Sequence, residues 1–269
     1  MWPNIPPNTP PFKWVVCETE TGYWTISWDL EGPFSDPTPW NFQVQINNLN
    51  GQDNAWENIG DPVQDGNFVR IEQGRHYIPN VTPLFRVVLT TSSGQYISGA
   101  VASFGELTWR QRYIAKKLYR LLRLERPSMP RVRGQLLHRR IVGQPCTCSA
   151  AAASIKSAVD SKCRICFGTG IVGGFWRPAD SPVIFIGGQQ IAAKMDPKLG
   201  TVVNAVKQGL FVGLPFVYPR DVWVDSVSKM RYLIREANIT AELNGIPVVI
   251  QAAMSLIPPD NPIYDLKVA

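Results

Sequence analysis

At 269 residues the chain has room for about two domains. Its 45% hydrophobic content suits ordinary cores, but only 18% of residues are charged, against 23 prolines and 21 glycines. That balance argues against a helical enzyme and for a β-rich, loop-rich protein that docks on other surfaces. No apolar run is long enough to span a bilayer, so no membrane partner is expected.

The opening stretch, MWPNIPPNTPPFKW, has neither a charged n-region nor an apolar h-region, so it does not read as a signal peptide. Residues 1–10 read as an extended, proline-rich arm. Residues 11–105 read as a β-sandwich. Tyr23–Trp28 alternates, Phe42, Val44 and Ile46 fall on one face, and Asn67–Ile71, Leu84–Leu89 and Tyr96–Ser98 are further strand candidates. Asn, Gly, Asp and Pro break these strands at sandwich spacing. Trp28, the segment Trp56–Ile59 and the hairpin FRVVLTTSSGQYISG resemble a fibronectin type III or immunoglobulin-like domain, which implies binding or decoration. Cys17 has no evident partner here and reads as a buried apolar thiol.

Charge changes abruptly after this domain. Residues 1–105 carry four basic and ten acidic side chains, residues 106–140 eleven and two, and residues 141–269 twelve and nine. In LTWRQRYIAKKLYRLLRLER, Ile114, Leu118, Leu121 and Leu122 recur at helical spacing, with Thr108 as N-cap and Pro127 as stop. The other face carries Arg110, Arg112, Lys116, Lys117, Arg120 and Arg123, and the charge continues through Arg131, Arg133, Arg139 and Arg140. Residues 106–140 thus read as a basic helical linker. Nucleic-acid phosphates, anionic lipid or an acidic protein surface would suit it, the acidic first domain included. A solvated basic face beside a packed apolar stripe explains the same pattern. In a nucleic-acid version, Trp109, Tyr113 and Tyr119 would supply stacking groups.

Residues 141–180 hold four of the five cysteines, as Cys146 and Cys148, then Cys163 and Cys166. Two close pairs of thiols suit tetrahedral Zn²⁺, which accepts four sulfur ligands in a structural site. Two disulfides, another metal or unrelated thiols stay open. A catalytic zinc is not expected, because nothing implies an open coordination position. Small residues after the second pair leave backbone N–H groups free to face the sulfurs. CRICFGTG resembles the CxxCxGxG half-site of zinc ribbons in DnaJ-type chaperones, which implies a structural zinc rather than chaperone activity. The first pair departs from that pattern, being CxC. The run from Gly168 to Gly173 fits GxGxxG literally, but no predicted strand precedes it and no helix follows.

Residues 181–269 read as a second β-rich domain. Val183–Ile186, Thr201–Val203, Leu210–Val212, Asp221–Asp225, Arg231–Ile234 and Ile246–Gln251 are its strand candidates. Asp221 and Asp225 read as a solvated strand end. The ending, Ile257–Leu266, reads as an extended tail suited to lying on a neighbouring subunit. His76 and His138 are the two histidines. Neither sits in a triad-like context, and no GxSxG or Walker sequence appears, so no enzyme is expected.

Three stretches together resemble tailed-bacteriophage virion proteins of the neck, where head meets tail. They are LTWRQRYIAKKLYRLLRLER, CRICFGTGIVGGFW, and PRDVWVDSVSKMRYLI with NGIPVVIQAAMSLIPPDNPIYDL. The resemblance covers about residues 105–269. It implies a multi-copy collar or head–tail connector in the virion, assembled in the host cytoplasm as a homo-oligomeric ring. Portal, connector or tail subunits would be its partners, with packaged DNA within reach. A tail or baseplate component has the same structural character. A zinc-stabilised nucleic-acid-binding protein using residues 109–140 is the reading from another class.

Overall fold

The computed structural model describes residues 12–20, 23–31, 36–49, 52, 55–76, 78, 81–103, 108–123, 131–148, 162–186, 190–196, 200–243 and 246–268. The N-terminal arm and the Pro127 stop lie outside these residues. The protein is mainly β, with one long α-helix among the described residues. It divides into two compact units. The first joins residues 1–108 to 140–177, and the second joins 109–139 to 178–269.

The first unit contains the expected sandwich. One antiparallel sheet orders β1 (Phe12–Glu20), β2 (Tyr23–Leu30) and β5 (Phe68–Glu72) as β1-β2-β5. The other orders β4 (Glu57–Gln64), β3 (Asn41–Asn47), β6 (Leu84–Thr90) and β7 (Gln95–Ile97) as β4-β3-β6-β7, with β8 (Val101–Ala102) also on β6. Alternation decides the core, because successive strand side chains face opposite ways. Phe42, Val44 and Ile46 are buried from β3, and Phe85, Val87 and Leu89 from β6. Trp24 meets Phe85 edge-on at 5.2 Å, and Trp28 packs on Phe42 at 5.2 Å between ring centroids. Cys17 is buried and free, as expected. Burial first, then the Glu18 charge, raises its pKa well above the ordinary value.

The second unit is one large antiparallel sheet. Its strands are β9 (Arg131–Val132), β10 (Gly134–Leu137), β11 (Ala179–Asp180), β12 (Val183–Phe185), β13 (Gln190–Asp196), β14 (Gly200–Val212), β15 (Val222–Asp225), β16 (Arg231–Leu243) and β17 (Ile246–Leu256). The order is β11-β10-β15-β16-β17-β14-β12-β9, with β13 pairing β14. Short strands expected near residues 201 and 210 are parts of one, β14. Trp223 is buried at the centre, and its Nε1–H donates to the Ser181 carbonyl at 2.8 Å.

Helix α1 (Trp109–Arg123) packs on β14 and β17. Ala115, Tyr119 and Leu122 are its buried residues, and Ile114, expected inside, is exposed. The buried row runs i, i+4, i+7, so the helix is turned slightly from the face its leucines suggest. Tyr119 sets this rotation, because its hydroxyl donates to the Pro247 carbonyl at 3.2 Å.

Gly213 makes that seat possible. A Cβ at Gly213 would lie 1.8 Å from the Pro247 carbonyl oxygen and 3.0 Å from the Tyr119 hydroxyl. Neither β17 nor its partner yields without breaking the bond from Gly213 N–H to the Val248 carbonyl. Gly213→Ala is therefore expected to destabilise the second unit by at least about 3 kcal/mol, the upper end of ordinary overpacking. Denaturant unfolding should show the transition of this unit shifted and that of the sandwich unchanged.

The C-terminal segment differs from the extended tail expected. Residues Pro262–Asp265 form a 3-10 turn, with Ile263 buried and Asn261 accepting from the Ile263 N–H. Arg231 donates to the Tyr264 and Leu266 carbonyls at 3.2 and 2.7 Å and lies 5.0 Å from the Tyr264 ring centroid. The segment is fastened to its own sheet because one buried guanidinium satisfies carbonyls that would otherwise need water.

Candidate metal centre

The first unit carries a second structure, a compact knuckle built from the two cysteine pairs. Cys146 N–H donates to the Gly170 carbonyl at 2.8 Å, and Val172 N–H donates to the Gln144 carbonyl at 2.9 Å. These bonds draw the two arms together around the Pro145–Ile171 bridge. Beyond Cys163 the chain turns tightly, with Phe167 N–H on the Cys163 carbonyl and Thr169 N–H on the Cys166 carbonyl. Phe167 and Gly168 adopt φ of 51° and 78°, a left-handed pair that glycine tolerates and phenylalanine seldom does. The Thr169 hydroxyl donates to the Cys166 carbonyl at 2.7 Å and braces the turn from inside. Only the glycines were singled out in the sequence. The brace is a local side-chain-to-backbone bond of the kind that threonine in turns makes.

All four sulfurs lie within 4.8 Å of one another. Cys146 and Cys163 are 3.8 Å apart, and Cys148 and Cys166 are 3.3 Å apart. A tetrahedron with metal–sulfur bonds of about 2.3 Å has edges of about 3.8 Å. A disulfide needs about 2.05 Å, and none of the four cysteines is in one. The set therefore fits a four-coordinate metal ion. Cys146 and Cys166 are buried, while Cys148 and Cys163 are half-buried, so the site is closed on one side and reachable on the other.

The thiols are not equivalent. Backbone N–H groups of Cys166, then Ile165, face the Cys163 sulfur and lower its pKa to about 7. The Cys166 thiol, hydrogen-bonded to Cys148, raises the pKa of Cys148. Of the two, Cys163 is the sulfur more readily ionised in the folded knuckle, and Cys148 the one that holds its proton.

The knuckle is bolted to the sandwich by residues on either side of it. Trp176 and Val142 are buried in the sandwich core. Trp176 lies 5.6 Å from Trp40 and 5.9 Å from Phe42 between ring centroids. The Arg140 guanidinium sits 4.4 Å from the Trp176 ring centroid, pairs with Asp65 at 3.0 Å and donates through Nε to the Phe175 carbonyl. Asp65 also accepts from the Trp40 N–H. Gly174 stays small here, because a Cβ would lie 2.7 Å from the Cys166 carbonyl oxygen.

These contacts correct part of the basic-segment reading. Arg140 is 4% exposed and committed to Asp65, so it is withdrawn from any phosphate or partner surface. Burial lowers its pKa, and the Asp65 charge opposes that. Arg131 and Arg139 are half-buried, Arg133 is exposed, and Arg110, Lys116, Lys117 and Arg120 are exposed on α1. Arg123 lies in α1, with its side chain outside the described residues. Tyr119 is buried and leaves the set of stacking groups.

Asp221 is a second correction. It is fully buried rather than solvated. Its carboxylate meets His138 Nδ1 at 2.9 Å and accepts from the Arg139 and Tyr218 N–H groups. A buried carboxylate needs such donors, and this one ties the end of β10 to the start of β15. Asp225 accepts from the Val227 and Ser228 N–H groups and shapes the turn that follows β15.

No family profile matches the chain, and no curated protein matches it. One solved structure, described as titin kinase and its flanking domains, aligns with 93% of this chain and 38% of its own, at 10% identity and a TM-score of 0.30. The chain thus spans well under half the length of that protein. A likeness at this level carries no argument about fold or function.

Proposed function

We propose that the chain is a structural, non-catalytic component of a tailed-phage virion, a multi-copy neck or collar protein that bridges portal and tail. The observation that carries the reading is the four-cysteine knuckle seated on an immunoglobulin-like sandwich. A segment too small to build a core of its own would be held in shape by a metal and by two anchors, Trp176 and Arg140. That is an economy suited to a building block rather than to a catalyst. The resemblance of the basic helix, the knuckle and the C-terminal β-rich part to neck proteins supplies the setting.

We take the metal to be Zn²⁺, held by Cys146, Cys148, Cys163 and Cys166. Four thiolates in a tetrahedral arrangement are its ordinary structural set, and bound there it would act as a cross-link. The protein's own residues do the rest. Glycines and Thr169 fold the ligand turn, backbone N–H groups favour the Cys163 thiolate, and the Trp176 seam transmits the knuckle's rigidity to the sandwich. Homo-oligomeric ring assembly and contact with portal, connector or tail subunits belong to the same proposal.

Immunogold electron microscopy of particles of the phage that encodes this chain tests it. Antibody to the full-length protein is expected to label the neck. Label at the far tail tip would move the protein to the baseplate. Particles free of the chain by mass spectrometry would remove it from the virion.

A further inference from the structure

We propose that the exposed face of α1 binds single-stranded nucleic acid, with bases stacked on Trp109 and Tyr113 and phosphates held by Arg110, Lys116, Lys117 and Arg120. This goes beyond the virion reading and does not rest on it. The helix sequence, WRQRYIAKKLYRLLR, contains six cations and no carboxylate. Ala115, Tyr119 and Leu122 are buried beneath it, so the opposite face is presented on an anchored, rigid element.

On that face Trp109 is 73% exposed, Tyr113 63% and Ile114 47%. Trp109 and Tyr113 are four residues apart, hence neighbours one turn along the helix. Lys116 and Arg120 continue the same row, and Arg110 and Lys117 flank it. From Trp109 to Arg120 the row runs about 16 Å. None of Lys116, Lys117 and Arg120 has an ion pair among the described residues. No acidic residue sits in the first helical turn either, so no carboxylate of the helix itself offsets the positive end of its dipole.

Large aromatic rings ordinarily go inside, and two side by side in solvent imply an occupant with flat apolar faces. Unpaired cations in the same row imply an anionic one. A nucleic-acid strand supplies both, alternating bases that stack with phosphates that pair. A duplex hides its base faces and would meet only the cations. The Arg110 guanidinium, 5.6 Å from the Trp109 ring centroid, shows that this ring already accepts a cationic neighbour.

The test is fluorescence anisotropy of the full-length protein with labelled oligothymidylate of about 20 nucleotides, beside a duplex of the same length. Oligothymidylate is expected to bind at low salt. Its log affinity should fall by about 3 per decade of salt, as four phosphate contacts require. Lys116→Glu with Lys117→Glu and Arg120→Glu should abolish binding. Trp109→Ala with Tyr113→Ala should weaken the strand at least about tenfold and the duplex hardly at all. All five positions are exposed, and circular dichroism should show each variant folded.

Absence of binding at low salt would overturn the proposal, as would binding that survives the charge reversal. Equal losses for strand and duplex in the aromatic variant would overturn base stacking. Displacement of the strand by polyglutamate at equal charge concentration would overturn it too, and would assign the face to an acidic protein.

Discussion

Trp176→Ala is expected to lower the stability of the first unit by about 3–5 kcal/mol, the range for deleting a large buried aromatic. Trp176 is 2% exposed and touches Trp40 and Phe42 in the sandwich core. Its loss also strips the surface on which the buried Arg140 guanidinium lies. The four sulfurs do not depend on the ring, so the variant should still bind metal. What changes is the attachment. Residues 140–177 should become sensitive to protease in the variant while the strands of the sandwich remain protected. Trp176→Phe, which keeps a ring in the pocket, should restore much of the stability. Loss of metal binding together with stability would mean that the seam and the metal site are one cooperative unit.

Removing the metal is expected to act the other way round, melting the knuckle and sparing the sandwich. Structural zinc contributes about 10–16 kcal/mol of apparent binding free energy in small peptides. Among the described residues, Val142 and Trp176 are those of this segment that join the sandwich core, and both lie outside the span from the first cysteine to the last. Hydrogen exchange after chelation should show amides of 144–174 exposed, above all Cys146, Thr169 and Val172, whose bonds close the arms. Cys166→Ser should reproduce this without chelator. Chelation should also be easier at pH 6 than at pH 8. Protons compete with the metal for sulfur: the Cys163 thiolate is lost as pH falls through about 7, and Cys148, whose pKa is raised, loses its proton to solvent only as the metal binds. The expected sign is therefore weaker loading at lower pH.

The cysteine spacing and the alternating strands were legible because each is a local pattern. Phe42, Val44 and Ile46 state their face within five residues, and two close cysteine pairs state a metal set within a short stretch. Legibility ended where partners are distant in the chain. Asp65 and Arg140 form one seam although they lie 75 positions apart in the chain, and nothing near either residue announces the other. Arg140 looked like the end of a basic surface run because charge is visible in sequence and burial is not. Asp221 looked solvated for the same reason, although His138 and two backbone N–H groups enclose it. The helix was legible, but its exact rotation was not, since the Tyr119 bond to Pro247 and the close approach at Gly213 decide it. Strand β4 was not legible as a strand, because ENIGDPVQ mixes turn residues into an edge strand.

Native mass spectrometry of the full-length protein, with and without chelator, tests the central claim most directly. The account predicts one zinc ion per chain, lost on chelation, with the thiols of Cys146, Cys148, Cys163 and Cys166 becoming alkylatable at the same time. A chain that carries no metal and has a mass lacking the thiol hydrogens of two disulfides would contradict it.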